Sequence, residues 1–250
     1  MQFKTTSAIK LAALTVLAVS TSAAFAQSAG DTIVSTGWAH IAPQDSSTPL
    51  SITSPALLAG SLPGSGASVN KTNTLGFAVS RFITDNWVAS LDLGVPPTYK
   101  LEGTGTLAGV GQIGEAKQWA PAVLGKYYFG EAKTEFRPFL GLGVTRVSYT
   151  DVSLTPTFQG AVVQTLGALS GGLVAAGGTS AKLESSWAPV FNVGASYAIN
   201  KDWYAGISIS YVRLKTTADL TTSSNVGNVS STTTLTLNPI VTYLSIGYRF

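Results

Sequence analysis

The last strand-like segment of the chain, Pro239–Phe250, constrains the fold more than any other feature. Counting back from the C-terminus, every second residue belongs to one face, and five of these six residues are strongly apolar. They are Phe250, Tyr248, Ile246, Leu244, Thr242 and Ile240. The residues between them are smaller and more polar. A period of two indicates a β-strand with two different faces. One apolar face that ends in an aromatic residue is typical of a strand in a transmembrane β-barrel.

The N-terminus carries the pattern of a secretory signal peptide. Lys4 and Lys10 form a basic segment, residues 11–20 are apolar, and Ala24-Phe25-Ala26 matches a cleavage site. A membrane-anchoring helix is the alternative, but the apolar run is short for a bilayer span. We therefore predict that residues 1–26 are a cleaved signal peptide and that residues 27–250 form the mature domain.

The composition excludes several other classes of protein. Charged residues make up only 11% of the chain, well below the roughly 25% of soluble domains. No run of 18 strongly apolar residues follows the signal, so membrane-spanning helices are not expected. The net charge of +3 includes Lys4 and Lys10 and is +1 without them, which gives no reason to expect a nucleic-acid partner. With no cysteine and a single histidine, the chain is predicted to hold no disulfide, metal or cofactor.

Turn residues divide the mature chain into eight alternating segments, which we predict to be strands. They are Thr32–Ile41, Thr74–Ile83, Asn86–Val95, Trp119–Phe129, Arg137–Tyr149, Ser186–Ile199, Trp203–Thr216 and Thr233–Phe250. Short turns alternate with long connections rich in Gly, Ser, Thr and Pro. This asymmetry predicts an all-β fold, an eight-stranded antiparallel transmembrane β-barrel with short periplasmic turns and long extracellular loops. The strands of a soluble sandwich or lipocalin also alternate between apolar and polar residues, but the outer face of such a protein would carry more charged residues.

Aromatic residues of the apolar faces cluster near the short turns. We predict that they form a periplasmic aromatic girdle, since rings of this kind favour the level of the lipid headgroups. The predicted girdle comprises Trp87, Tyr127, Phe129, Tyr197 and Trp203. Aromatics scattered through a soluble core are the alternative, but they would not gather at one end of each strand.

Short motifs that are weak alone recur in order along most of the mature chain. They are Thr84-Asp85-Asn86, Lys126-Tyr127-Tyr128-Phe129-Gly130, Phe136-Arg137-Pro138-Phe139, the Gly141/Gly143 pair, Ser186-Trp187, Tyr197-Ala198-Ile199-Asn200-Lys201-Asp202-Trp203, Asn238-Pro239 and Gly247-Tyr248-Arg249-Phe250. This ordered set resembles the OmpW family of small outer-membrane barrels. The resemblance implies an integral protein of the outer membrane of a Gram-negative bacterium. It implies a channel or minor porin that passes small, mostly hydrophobic molecules through or out of a narrow lumen. It also implies that Tyr248 and Phe250 form the signal read by the barrel-assembly machinery.

The predicted inward face is more polar than the apolar constriction that the family resemblance implies. The predicted lumen-lining residues are Ser90, Asp92, Lys126, Asn192, Ser208 and Ser210. Asp92 and Lys126 lie on neighbouring strands and are expected to pair, because an unpaired charge in a narrow lumen is costly. Eight strands leave an interior just wide enough for side chains to fill. The residues therefore allow two interpretations, a polar plug and a binding site or passage with a polar wall.

Two further functions remain open at this level. The first is a non-transporting structural or surface-interaction barrel whose loops bind lipopolysaccharide or external partners. The predicted partners are outer-membrane lipids and lipopolysaccharide, the barrel-assembly machinery during biogenesis and a small hydrophobic ligand. The second is a barrel enzyme that uses His40 with Asp31 or Asp45, but no other catalytic feature accompanies His40, so we predict no enzyme and no catalytic residue.

The apolar segment Gly160–Gly178 lies within one of the long connections. Its glycines, together with Gln164 and Thr165, argue against a transmembrane helix. We predict a flexible loop that packs on the mouth of the barrel or contacts a hydrophobic ligand or partner.

Overall fold

Eight antiparallel strands close into a barrel in the computed structural model, which describes residues 27–250. The strands are β1 (Thr32–Ala42), β2 (Thr72–Phe82), β3 (Trp87–Gly94), β4 (Ala122–Tyr128), β5 (Phe136–Leu154), β6 (Ser186–Ala198), β7 (Trp203–Val212) and β8 (Ile240–Arg249). Each strand pairs with its neighbours in the chain, and β1 pairs with β8 to close the barrel. The predicted fold class is confirmed. The predicted signal peptide, residues 1–26, lies outside the described residues.

The two faces of each strand differ as the period-two pattern predicts. On β2, Leu75, Phe77 and Val79 are exposed on the outside, whereas Ala78 and Ser80 are buried inside. The other barrel strands also present large apolar side chains outward. An apolar surface that surrounds the whole barrel requires a hydrocarbon environment.

Three predicted strands are interrupted in the structure. The predicted strand Trp203–Thr216 ends at Val212, and its last residues belong to the separate strand Lys215–Ser224. The other two interruptions lie at prolines. Pro121 separates β4 from the strand Gln112–Trp119, and Asn238-Pro239 separates β8 from the strand Val229–Thr236. Each was predicted to lie within one continuous strand. Proline has no N–H to donate to a strand ladder. Asn238 also has a φ of 34°, a conformation that ends an extended strand.

The long connections fold into additional β-structure above the barrel, here called the extension. Its strands are Ser46–Ser47, Ser51–Ser54, Gly60–Ser61, Ser65–Val69, Thr98–Gly105, Gln112–Trp119, Ala176–Leu183, Lys215–Ser224 and Val229–Thr236, with a 3-10 turn at Ala108–Val110. The 19-residue strand β5 continues from the barrel into the extension, where it pairs with Gln112–Trp119. Ile113, Leu220 and Leu235 belong to a buried apolar cluster that joins the extension to the upper barrel.

The extension also contains a helix, α1 (Pro156–Leu169). Thr155 caps it, because its hydroxyl accepts a hydrogen bond from the Phe158 N–H, and Pro156 occupies the first helical position, where no N–H is needed. The prediction of a flexible loop at Gly160–Gly178 is therefore wrong: the segment begins within α1 and ends in the strand Ala176–Leu183. Within residues 27–250, no helix combines the length and apolarity needed to cross a membrane.

Candidate functional site

The short-turn end of the barrel is filled by a buried arginine and aromatic rings. Arg137 on β5 is 0% exposed. Its guanidinium donates hydrogen bonds to the carbonyl oxygens of Asp85 at 2.6 Å and Gln27 at 3.1 Å. It also lies over the Tyr128 ring, with 5.4 Å from Cζ to the ring centroid. A guanidinium suits this place because its five N–H groups can satisfy several turn carbonyls at once.

Further side chains complete this layer, which we call the end plug. Phe82 and Tyr204 are almost fully buried in one apolar cluster with Tyr128. The Gln27 amide donates to the Ser196 hydroxyl at 3.1 Å. The end plug, defined as Gln27, Phe82, Tyr128, Arg137 and Tyr204, fills the lumen next to the short turns.

The six predicted lumen-lining residues all lie on the inside of the barrel, and we call them the polar belt. They are Ser90, Asp92, Lys126, Asn192, Ser208 and Ser210. The Lys126 ammonium lies 3.4 Å from Asp92 Oδ2 and donates to the Ser90 hydroxyl at 3.1 Å. Ser90 in turn donates to Asp92. The structure thus brings the two charges together as an ion pair diagonally across β3 and β4.

Asn192 and Ser210 form the other hydrogen-bonded part of the polar belt. The Asn192 amide donates to the Ser210 hydroxyl oxygen at 2.8 Å. Asn192 Oδ1 is buried without a hydrogen-bond partner among the described residues. A small cavity of about 60 Å³ lies between this belt and the end plug and includes both Lys126 and Tyr204 in its lining.

A larger cavity of about 170 Å³, here called the upper cavity, lies on the other side of the polar belt. Its walls are mostly apolar and include Ala39, Leu124, Val147, Val190, Val212 and Leu214. Its polar floor includes Asp92, Ser208, Ser210 and Tyr243. The upper cavity is therefore an apolar chamber with hydrogen-bonding groups at one end.

Three more cavities continue from the upper cavity through the extension. The outermost has about 310 Å³ and lies against α1. It shares Leu107 and Phe158 with a cavity of about 70 Å³. That cavity shares Leu101 and Leu235 with one of about 20 Å³, which in turn shares Tyr99 with the upper cavity. Shared lining residues mean that neighbouring cavities adjoin one another.

Tyr99 is the side chain at the inner junction, between the extension and the upper cavity. It is 6% exposed, and burial raises the pKa of its phenol. Like an unperturbed tyrosine, it is therefore neutral at physiological pH.

The barrel wall is interrupted beside the upper cavity. The β3–β4 ladder ends at the pair Asp92–Ala122, and strand pairing resumes beyond it at Thr98–Lys117. Pro96 and Pro121 lie within this interruption and have no N–H for a ladder bond.

The upper cavity reaches the outer face of the barrel at this interruption. Gly94, Val95 and Ala120 from its two sides line the cavity. So do Phe77 and Leu93, whose side chains are 39% and 45% exposed on the outer face. Side chains that border both the lumen and the outside indicate that the chamber extends into the wall.

The predicted aromatic girdle lies on the outside of the barrel near the short turns. The Trp87 and Tyr127 rings are 5.1 Å apart, and Tyr127 and Phe129 are 5.2 Å apart. Trp203 contacts the Tyr248 ring at 5.1 Å. Tyr197 donates to Glu135 at 3.4 Å. Edge contacts of this kind hold the rings in a band around the barrel.

His40 lies on β1 without the partners that a catalytic triad requires. Its Nδ1 is 2.8 Å from Asn73 Oδ1, and its ring stacks on Trp38. Asp45 instead accepts a hydrogen bond from the Val69 N–H. Asp31 pairs with Arg249 at 3.4 Å. That the protein is not an enzyme stays a prediction.

The sequence pattern predicts no role for Arg137, Tyr99, Phe158 or Tyr243. Arg137 had a usable signal, since it is a charged residue at an inward position next to a short turn, where only a satisfied charge can be buried. Tyr99 and Phe158 had no such sequence signal, because they lie in connections whose conformation the alternation pattern does not determine.

A comparison with known proteins identifies the family. A model of the OmpW family matches residues 28–250. The chain belongs to the OmpW family. It is 31% identical over 234 residues to outer membrane protein W of Vibrio cholerae, covering 93% of this chain and 94% of that protein. It is 31% identical over 191 residues to the dibenzothiophene metabolism operon protein PahQ of Pseudomonas aeruginosa, covering 76% and 77% of the two chains.

A solved structure agrees with both the family and the fold. The outer membrane protein OprG of Pseudomonas aeruginosa superimposes with a TM-score of 0.75 at 25% identity, covering 90% of this chain and 98% of that chain. This OmpW-family protein is an integral protein of the outer membrane. The short turns and the end plug therefore face the periplasm, and the extension faces the outside of the cell.

Proposed function

We propose that the protein is an outer-membrane channel that takes small, mostly hydrophobic molecules from outside the cell and releases them sideways into the membrane. The observation that carries this proposal is the series of apolar cavities from α1 to the interruption of the β3–β4 ladder. A molecule that passes Phe158 and Tyr99 reaches a chamber bordered by outward-facing side chains.

The same geometry disfavours straight passage along the barrel axis. Beyond the upper cavity, a molecule would have to cross the Asp92–Lys126 pair and then the end plug. Displacing Arg137 would remove the hydrogen bonds that the carbonyls of Gln27 and Asp85 accept, and the unpaired acceptor at the buried Gln27 costs about 1–3 kcal/mol. The sideways route requires only the movement of apolar side chains such as Leu93.

The name of one relative supports the class of substrate. PahQ is named for an operon of dibenzothiophene metabolism, and dibenzothiophene is a flat, apolar aromatic molecule. Transport of such a molecule fits cavities whose lining surface is mostly apolar.

Filling the wall interruption tests the sideways route. Gly94 lies on β3 at the interruption, and a Cβ there would meet nothing closer than 3.8 Å. We expect Gly94→Phe to reduce the uptake of a hydrophobic fluorophore, such as N-phenyl-1-naphthylamine, to nearly that of cells lacking the protein. The matched control is Gly125→Phe, at an exposed position on β4 with similar free space. Undiminished uptake by Gly94→Phe, at equal folded protein, would contradict sideways release.

A second candidate function is the binding of lipopolysaccharide at the extracellular rim. Arg146 is exposed on the outer face of β5 and lies over the Trp187 ring, with 5.6 Å from Cζ to the ring centroid. Arg213 is exposed just beyond β7. Guanidinium groups next to an interfacial tryptophan suit lipid phosphates.

The double variant Arg146→Gln/Arg213→Gln, which removes both positive charges, tests this function. We expect it to lower the thermal unfolding temperature in vesicles whose outer leaflet is lipopolysaccharide, and to leave it unchanged in phosphatidylcholine vesicles. Equal stability of variant and wild type in both membranes would remove this candidate.

A further inference from the structure

Tyr243 forms a bridge from β8 to β2 on the inside of the barrel. Its side chain lines the lumen, and its phenol hydroxyl donates to the carbonyl oxygen of Gly76 on β2 at 3.3 Å. Strand β1 lies between these two strands. Its residues in register with Gly76 and Tyr243 are Gly37 and Ala39, which are both small. They leave room for the phenol ring to lie along the inner wall.

Gly76 provides the surface on which the phenol ring rests. A Cβ atom at this position would lie 2.7 Å from Tyr243 Cε2, and its three nearest neighbours would all be atoms of that ring. The ring would therefore have to shift to admit any side chain. The φ angle of Gly76 is not positive, so the close approach of the ring, rather than the backbone conformation, explains the glycine.

The phenol ring separates the upper cavity from the cavity of about 60 Å³ beneath it, here called the lower cavity. Of the residues that the structure describes, Tyr243 and Ser208 line both cavities. They are paired across β8 and β7, and Ser208 is small. On the other side of the lumen, Asp92 lines the upper cavity and Lys126 lines the lower one. The ring and the ion pair together form the partition.

The two sides of the partition differ in polarity. The lower cavity is lined by the Lys126 side chain and by the hydroxyl-bearing residues Ser35, Ser80 and Ser196. Its volume gives space for about four water molecules, which such polar groups can bind. An apolar molecule that moved past the ring would separate these groups from water, which is costly. The upper cavity is therefore the better place for it.

The ring also lies at the level of the wall interruption. Gly76 is paired with Gly94 across β2 and β3, and Gly94 lines the upper cavity at the edge of the interruption. A molecule that moves down the upper cavity therefore meets the ring of Tyr243 next to this part of the wall.

We propose that Tyr243 is a positioning residue that stops hydrophobic molecules at the level of Gly94 and directs them toward the wall interruption. This inference rests on the proposed function and adds the residue that ends the axial path in the same chamber. Removal of the ring is expected to extend the upper cavity into the lower one. Molecules should then enter more deeply, and larger molecules should bind more tightly.

The experiment follows the binding of toluene and naphthalene through NMR methyl signals of the full barrel in lipid nanodiscs. Val190 and Val212 report on the upper cavity, and the buried Ile33 reports on the lower cavity. Ile209, exposed on the outer face, reports on partition into lipid. In the wild type, we expect both ligands to shift the signals of Val190 and Val212 and to leave Ile33 unchanged.

Tyr243→Ala removes the ring. We expect both ligands then to shift the Ile33 signal as well. The affinity for naphthalene relative to toluene should rise about tenfold, because the second ring of naphthalene gains apolar contact area. Tyr243→Phe keeps the ring on Gly76 and should behave like the wild type.

Gly76→Ala tests the same partition without altering Tyr243, and it serves if Tyr243→Ala fails to fold. The added methyl group displaces the ring from β2, so we expect ligand-induced shifts at Ile33 although the residue has become larger. The matched control is Gly94→Ala, at the paired position on β3, where a Cβ meets nothing closer than 3.8 Å. This control should leave Ile33 unchanged.

Ligand-induced shifts at Ile33 in the wild type would overturn the inference. So would their absence in both Tyr243→Ala and Gly76→Ala. If Val190 and Val212 respond in the wild type and the two variants behave in the same way, this inference fails and the proposed function stands. If neither ligand shifts Val190 or Val212 in any of these proteins, the proposed function fails with it.

Discussion

Replacing Ala39 by tryptophan is expected to abolish the uptake of hydrophobic molecules while the barrel still folds. Ala39 points inward from β1, is 7% exposed and lines the upper cavity. An indole at this position would occupy most of the 170 Å³ chamber, through which every route from the extension to the wall interruption passes. The cavity provides the space, so the strain that usually follows the enlargement of a packed residue should be small.

The measurement is the initial rate of fluorophore uptake by cells with equal amounts of folded protein. The matched control is Ala89→Trp, which makes the same change on β3 but at an exposed position of the outer face. It should transport like the wild type. If Ala39→Trp also transports like the wild type, hydrophobic molecules do not pass through the upper cavity.

Replacing Arg137 by alanine is expected to destabilise the barrel strongly and to open its periplasmic end to ions. The fully buried guanidinium donates to the carbonyls of Asp85 and Gln27. The unpaired acceptor at the buried Gln27 costs about 1–3 kcal/mol, and the lost contacts with the Phe82 and Tyr128 rings add to this cost. The expected loss in the free energy of unfolding is therefore about 3 kcal/mol. In the wild type, the guanidinium lies over the rings of Phe82 and Tyr128. Without the Arg137 side chain, water can enter between these two rings.

Urea unfolding in detergent micelles measures the loss of stability, and single-channel recording in planar bilayers measures ion conductance. Arg81→Ala is the control, because this arginine is exposed and its side chain donates to Thr32 at 2.7 Å. A surface change of this kind should alter stability by no more than about 0.5 kcal/mol. An Arg137→Ala variant that is as stable as the wild type and silent in bilayers would show that the end plug does not close the lumen.

The barrel itself could be predicted from the sequence because membrane strands obey one simple rule. Each must present apolar side chains to hydrocarbon on one face, so alternation reveals both the strand and its orientation. The alternation therefore predicts an inward position for residues as far apart as Asp92 and Asn192. The strand breaks at Pro121, at Pro239 and after Val212 are the exceptions, since the residues on both sides of each break continue to alternate.

The extension could not be predicted in the same way. Some faces of its strands contact protein and others contact water, and this differs from strand to strand. No regular alternation of apolar and polar residues therefore marks these strands. Helix α1 contains Gly160 and Gly167, which lower helix propensity. The cap Thr155-Pro156 was the available signal for its start. The cavities depend on how these segments pack against one another, which the sequence pattern does not specify.

In the proposed route, hydrophobic molecules enter the upper half of the lumen and leave through its wall without reaching the periplasmic end. Photolabelling can map this route. A small apolar aryl diazirine is added to the protein in its membrane and activated, and mass spectrometry locates the labelled residues on the inner face. We expect labels at inward residues of the upper cavity, such as Ala39, Tyr99 and Val190, and none at Ser196 or Tyr204. Labels that extend to Ser196 and Tyr204, or that are absent from the inner face, would contradict it.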